Sequence, residues 1–388
     1  MYSSGSSSTS ATAILTPATS SNGSIATLNL IQPSPPLPTI LPGPLPLTTL
    51  STTSWRTAYP RIGQFAMTGD EQVVAAGPNG LLYFRRVQDH ASKPWSEPRL
   101  LPTTSAMLND QSVSGLTIHS GKERLNVYCV SGGKFYSFHR PIKEGSSFVL
   151  DPCPPISSHV VSGTPAVAVA EMDSYHSSEQ QNLFVPCQSG GLLHTWTSGG
   201  KDWQSVDHVA KELGVISAVS GARSWRNTGN SDVDILAVVI ASGRLHAVEG
   251  RFGREAGYYH PTNKWIAPKS TRINHPGEVT GNPALVRGEI TQLDLLVPSA
   301  EGGVFHFVRT ASTPDEWHMI ARIAFPQGLP AASGLAANKI KLSWEGRRLF
   351  RTVIQAGGQL YYATTHEGSE PWLRSYLKPI VAPGPFSG

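Results

Sequence analysis

Cysteine is scarce in this chain: Cys129, Cys153 and Cys187 are the only three, and no two form a C-x-x-C pair. So small and dispersed a set argues against a disulfide framework or a tetrahedral zinc site and leaves buried, reduced thiols. Charge is sparse as well. Only 15% of the 388 residues are Asp, Glu, Lys or Arg, the net charge is +4, and no basic run stands out. That balance gives no basis for nucleic-acid binding. No apolar run reaches the length of a membrane span. The opening stretch MYSSGSSSTSATAILTPATSS lacks a basic n-region and a sustained apolar core, so it is a poor secretory signal. The expected location is the cytoplasm, with unconventional secretion as the alternative. H-E-x-x-H, G-x-S-x-G, a Walker loop and a helix-opening G-x-G-x-x-G are all missing. No metal or cofactor is expected.

Turn-forming and apolar residues are abundant instead. The chain holds 37 glycines and 31 prolines, and 39% of it is hydrophobic. Residues 1–54 are rich in Ser and Thr and then in Pro, with QPSPPLPTILPGPLPL packing seven prolines into sixteen residues. Such a segment buries too little surface to offset its ordering entropy, and is expected to be a disordered tail.

Beyond residue 55 the chain repeats. A unit of Gly, any residue, Leu or Phe, then Tyr or His occurs as GLLY (80–83), GKFY (133–136), GLLH (191–194), GRLH (243–246), GVFH (303–306) and GQLY (358–361). Successive copies are 53, 58, 52, 60 and 55 residues apart. An apolar β-branched run precedes each copy, and a small-residue segment such as SGTPAV or TGNPAL lies earlier still. Trp95, Trp203, Trp265, Trp317 and Trp372 follow five copies, and Phe148 takes that place in the second. Each repeat reads as four short strands with Gly-rich turns. Six copies predict an all-β fold over 55–388: a six-bladed β-propeller of four-stranded blades. The repeats fall near 62–108, 109–160, 161–214, 215–278, 279–330 and 331–383. Small residues suit the crowded innermost strands, and a tryptophan can cover each blade's outer edge. The stretch around Trp55 reads as a spare outer strand that closes the ring.

Written out in this way, the chain resembles the fungal fucose-specific lectins and related bacterial propeller lectins. The unit NLFVPCQSGGLLHTWTSGGKDWQSV (182–206) carries the resemblance best. The resemblance implies sugar sites between blades, each built from an arginine, an aromatic and a glutamate that follows the repeat aromatic. The residues at that place are Phe84, Ser137, Thr195, Ala247, Phe307 and Tyr362, and none is acidic. A degenerate propeller of this kind also resembles the hetero-Diels–Alderases of fungal tropolonic sesquiterpenoid biosynthesis, through its size, six repeats and missing sugar ligands. That resemblance implies a cofactor-independent cyclase joining a tropolone-derived o-quinone methide to a humulene-type sesquiterpene. Such an enzyme would hold two apolar small-molecule substrates face to face beside a hydrogen-bond donor. The alternatives are a lectin with altered ligand residues, whose partner is a glycan, and a protein-interaction propeller.

At the repeat position stand Tyr83, Tyr136, His194, His246, His306 and Tyr361. Each pairs an aromatic body with one polar tip, which suits a structural contact between blades with the tip on a neighbouring backbone carbonyl. Spread around a ring, they cannot converge on a metal. Ligand contacts are expected where the repeats differ. The fourth repeat carries the longest insertion, Ala247–Trp265, expected as a loop that presents Tyr258, Tyr259 and His260, and the connection before it adds Trp225 and Arg226. The polar stretch Glu171–Gln181 reads as a solvated loop.

Overall fold

The computed structural model describes 63–87, 95–96, 98–101, 108, 112–143, 146–151, 155–171, 179–198, 202–204, 206–223, 233–254, 261–287, 292–323, 325, 330–341, 348–366 and 378–380. The Ser/Thr- and Pro-rich tail and Trp55 lie outside the described residues.

Six four-stranded antiparallel sheets make up the fold, each from consecutive strands. Blade 1 is β1 (Phe65–Met67), β2 (Gln72–Gly77), β3 (Gly80–Arg85) and β4 (Arg99–Leu100). Blade 2 is β5 (Val113–Ser120), β6 (Arg124–Ser131), β7 (Lys134–Pro141) and β8 (Val149–Leu150). Blade 3 is β9 (Ala166–Glu171), β10 (Glu179–Pro186), β11 (Leu192–Ser198) and β12 (Asp207–Val209). Blade 4 is β13 (Ile216–Arg223), β14 (Val233–Ala241), β15 (Arg244–Arg254) and β16 (Pro261–Ile273). Blade 5 is β17 (Ala284–Arg287), β18 (Gln292–Pro298), β19 (Val304–Thr310) and β20 (Thr313–Ile323). Blade 6 is β21 (Ala332–Lys341), β22 (Arg348–Ala356), β23 (Gln359–His366) and β24 (Lys378–Pro379).

The innermost strands close a ring: β1 touches β5, β5 touches β9, and so on through β13, β17 and β21 back to β1. Among the described residues, every blade completes itself with its own fourth strand, so ring closure rests on packing between blades 6 and 1. One apolar cluster fills each of the six junctions, so the core is divided into six slabs between blades. Small residues let the inner strands approach. A Cβ on Gly115 would lie 2.0 Å from the Gly163 carbonyl oxygen, and one on Gly163 or Gly281 would lie 2.3 or 2.2 Å from that of Ser217 or Ser333. No helix among the described residues is long and apolar enough to cross a membrane. Cys129 and Cys187 are buried free thiols.

Odd and even blades differ. Innermost strands of odd blades begin Gly63-Gln64-Phe65-Ala66, Gly163-Thr164-Pro165-Ala166 and Gly281-Asn282-Pro283-Ala284. Those of even blades carry a bulge at Ser114, Ser217 and Ser333. Each bulge hydroxyl donates to a carbonyl of the second strand, Val130, Ile240 and Gln355 respectively, at 3.2–3.4 Å. Parallel bridges tie Thr164 to Ala218 and Asn282 to Gly334, joining blade 3 to 4 and blade 5 to 6. Three residues from alternate blades also meet: Thr164 Oγ1 donates to Asn282 Oδ1 at 2.6 Å, and Asn282 Nδ2 to Gln64 Oε1 at 2.6 Å. The sixfold ring is thus a threefold arrangement of two-blade units.

Two expectations about loops are corrected. Glu179–Gln181 belong to β10, and Gln180 and Gln181 are buried because they pair with β9 and β11 rather than meeting water, while 172–178 lie outside the described residues. The Ala247–Trp265 insertion is mostly strand: β15 and β16 pair as far out as Arg254 and Pro261, which lengthens the outer hairpin.

Candidate functional site

The repeat aromatics are not equivalent, contrary to the sequence expectation. In even blades the hairpin before the third strand is a two-residue turn, Gly132-Gly133, Ser242-Gly243 and Gly357-Gly358, with φ between 50° and 77° throughout. This left-handed pair matches the twist of the flanking strands. The motif glycine there is a turn residue. In blades 3 and 5 the turn holds three residues, closed by Cys187 N donating to Gly191 O and Ser299 N to Gly303 O, so the motif glycine lies past the turn and pairs across it, directly before the strand. In blade 1, Gly80 likewise pairs with Gly77 as the first strand residue. The same four-letter unit is therefore displaced by one residue relative to its hairpin. Because side chains alternate faces, one residue reverses the face presented.

Tyr83, His194 and His306 consequently point into the following blade and are buried, while Tyr136, His246 and Tyr361 point to the preceding blade and are half-buried. All six meet at the 1/2, 3/4 and 5/6 junctions. The polar tip of each of the three buried ones meets a side chain of its own blade. Tyr83 Oη donates to Gln72 Oε1 at 2.7 Å, His194 Nε2 lies 3.3 Å from Asn182 Oδ1, and His306 Nε2 lies 3.0 Å from Asp294 Oδ1. Burial holds His194 down to about 3, so it is a neutral packing group. Burial, with Arg272 and Arg244, also lowers His246, and burial raises the Tyr361 phenol. Arg140 lies 4.5 Å over the Tyr83 ring and donates to its hydroxyl at 3.0 Å.

The residues after the aromatics, Phe84, Ser137, Thr195, Ala247, Phe307 and Tyr362, are all buried and face the other three junctions. There, carboxylates arrive from other places. At the 2/3 junction Asp151 accepts from Ser137 Oγ at 3.4 Å and lies 2.6 Å from His139 Nδ1. At the 4/5 junction Glu249, two residues past Ala247, meets Arg309 Nη1 at 2.5 Å. At the 6/1 junction Glu71 accepts from Arg86 Nη1 at 3.0 Å, Arg351 Nη1 at 2.6 Å and Tyr362 Oη at 2.7 Å. Tryptophans enter these same junctions instead of covering blade edges. Trp203 meets Tyr128 edge-on with centroids 6.0 Å apart, Trp95 meets Tyr362 at 5.5 Å, and Arg309 sits 5.8 Å over Trp317.

At the 6/1 junction two guanidiniums share one carboxylate. Glu71 is 6% exposed, while Arg86 and Arg351 keep 29% and 24% of their side chains in solvent. Arg86 also bonds the Tyr362 hydroxyl and lies 5.0 Å over its ring. Burial and then the bond to Glu71 push the Tyr362 phenol well up, so it stays a neutral donor. Glu71 has φ 60°, a left-handed conformation that glutamate rarely adopts. The turn before β2 holds it there: Glu71 N donates to Thr68 O at 3.1 Å and Arg86 N to Glu71 O at 3.0 Å. Strain of this kind persists only where surrounding contacts over-determine it.

Sequence reasoning passed over Glu71, Arg86, Glu249, Arg309 and Arg351. Arg86 and Arg309 each stand three residues after the repeat aromatic of an odd blade, a spacing that could have found them. Tyr258, Tyr259, His260, Trp225 and Arg226 lie outside the described residues, as does Trp372. Among the described residues, no group of three or more His, Cys, Asp or Glu is placed to hold a metal ion.

No protein-family model matches the chain, and no curated protein matches its sequence. Solved structures do resemble it. A lectin from Aleuria aurantia in complex with Fucα1-6GlcNAc is 12% identical, with a TM-score of 0.56 over 84% of this chain and 98% of that one. AofleA from Arthrobotrys oligospora is 11% identical, with a TM-score of 0.54 over 82% and 86%. A lectin from Burkholderia pseudomallei is 15% identical, with a TM-score of 0.52 over 84% and 86%. At these identities the likeness is one of fold.

Proposed function

We propose that this chain is a sugar-binding propeller of the lectin type, with its ligand site at the junction of blades 6 and 1. One observation carries the reading. Arginine, glutamate and aromatic side chains converge there in a part-open position between blades, although the glutamate comes from the turn before β2 rather than from β23. Glu71 is a ready acceptor for sugar hydroxyls, the two guanidiniums are donors, and the Tyr362 hydroxyl adds one more polar contact. The lectin-like neighbours support the same reading at the level of fold, one of them holding a fucosylated sugar.

The cyclase reading draws its pocket from Trp225, Arg226, Tyr258, Tyr259 and His260, and none of the junction geometry favours it. A glycan array probed with the labelled full chain tests the proposal. The expected result is retention of at least one glycan, with binding reduced at least tenfold in Arg351→Ala. Retention of no glycan, or equal retention by the variant, counts against it.

A further inference from the structure

The charge at the 6/1 junction goes further than sugar binding. At the 4/5 junction each guanidinium has its own carboxylate, Arg309 with Glu249 and Arg322 with Glu301 beside Phe305, and at the 2/3 junction one histidine meets one aspartate. At the 6/1 junction two guanidiniums share one carboxylate, and Tyr362 stays neutral beside them. Asp70, next in sequence to Glu71, takes no part: its carboxylate accepts from Thr68 Oγ1 and Gln72 Nε2 at 2.5 Å each, on the side of the turn that leads to the 1/2 junction. The described cluster therefore carries a surplus of one positive charge.

A donor is also left over. Glu71 occupies Nη1 of Arg351, whereas Arg351 Nε is buried without an acceptor among the described residues. Nε belongs to the edge of the guanidinium that grips a carboxylate with two parallel bonds. A buried donor left unpaired is costly, and since Arg351 keeps 24% of its side chain in solvent, a turn of its fork toward an entering carboxylate would satisfy it.

The geometry points to an acidic saccharide, one bearing a carboxylate such as a uronic acid, as the ligand of this junction. The inference rests on the sugar-binding reading and deepens it. The carboxylate meets Arg351 while Glu71 and the Arg86 guanidinium face the hydroxyls. A neutral sugar would leave both the surplus charge and the Nε donor unmet.

Calorimetric titration of the full wild-type chain tests this with four probes: methyl glucuronide, methyl glucoside, methyl fucoside and sodium acetate. The expected result is glucuronide binding at least tenfold tighter than either neutral glycoside or acetate, weakening severalfold between 0.05 and 0.5 M salt, since exposed charge pairs are screened. Arg351→Lys keeps the charge but loses the fork, and should weaken the glucuronide alone. Neutral glycosides binding as tightly as the glucuronide would overturn the acidic ligand and leave sugar binding standing. Acetate binding as tightly would reduce the junction to a plain anion site, overturning the saccharide ligand. No saccharide binding at all would overturn both readings.

Discussion

At the scale of the residue, a shared motif conceals two environments. His194 and His246 occupy the same letter of the same four-residue unit, yet one is sealed and the other half-open. For His194 the consequence is thermodynamic. Its ordinary value is 6.5 and burial holds it to about 3, so between those pH values the unfolded chain binds a proton that the folded chain refuses. The folded state is then fully favoured above pH 6.5 and loses ground as the pH falls, by about 1.4 kcal/mol per unit where the difference is complete. Denaturant unfolding of the wild type at pH 7, 6, 5 and 4 should show that slope beyond the carboxylate contribution. His194→Gln, which cannot take up a proton, should show a shallower one. Equal slopes for the two proteins would mean that His194 is not held neutral.

At the scale of the element, hairpin length decides which face a side chain takes. The apolar runs, the four-strand rhythm and the six copies were legible in the sequence because strand periodicity and turn residues are local signals. The alternation was legible too, though only in one letter. After the motif glycine stand Leu81, Leu192 and Val304 in odd blades but Lys134, Arg244 and Gln359 in even ones, which is apolar where the position is buried and polar where it is not. The candidate site was not legible, because Glu71, Arg86 and Arg351 meet across some 280 residues of chain through ring closure, which no local pattern encodes. Two glycines outside the strands give a matching contrast. Gly163→Ala places a Cβ 2.3 Å from a carbonyl oxygen at φ 63°, whereas at Gly302, φ 92°, nothing lies within 4 Å. Overpacking and backbone strain together should cost about 3 kcal/mol or more at Gly163, and strain alone about 1 kcal/mol at Gly302. Midpoints of urea unfolding for the two variants check this, and equal losses would contradict the close approach of β9 to β13.

At the scale of the whole molecule, threefold pairing of blades organises both closure and site. Thr164, Asn282 and Gln64 link alternate blades through side-chain bonds, and the two kinds of junction alternate around the ring. The repeat aromatics fill one kind. The relocated carboxylates and the tryptophans take the other. Among the described residues, only the 6/1 junction has two arginines sharing one carboxylate, and the packing of Phe65, Val73, Phe84 and Trp95 against Val353, Leu360 and Tyr362 there also closes the ring. Ligand capacity should therefore follow that single junction rather than the number of blades. The most direct measurement is the calorimetric stoichiometry of the glycan retained best on the array. One ligand per chain is expected, lost in Arg351→Ala while the variant keeps the wild-type thermal unfolding profile to within a few degrees. Three or six ligands per chain, or one ligand bound equally well by the variant, would contradict it.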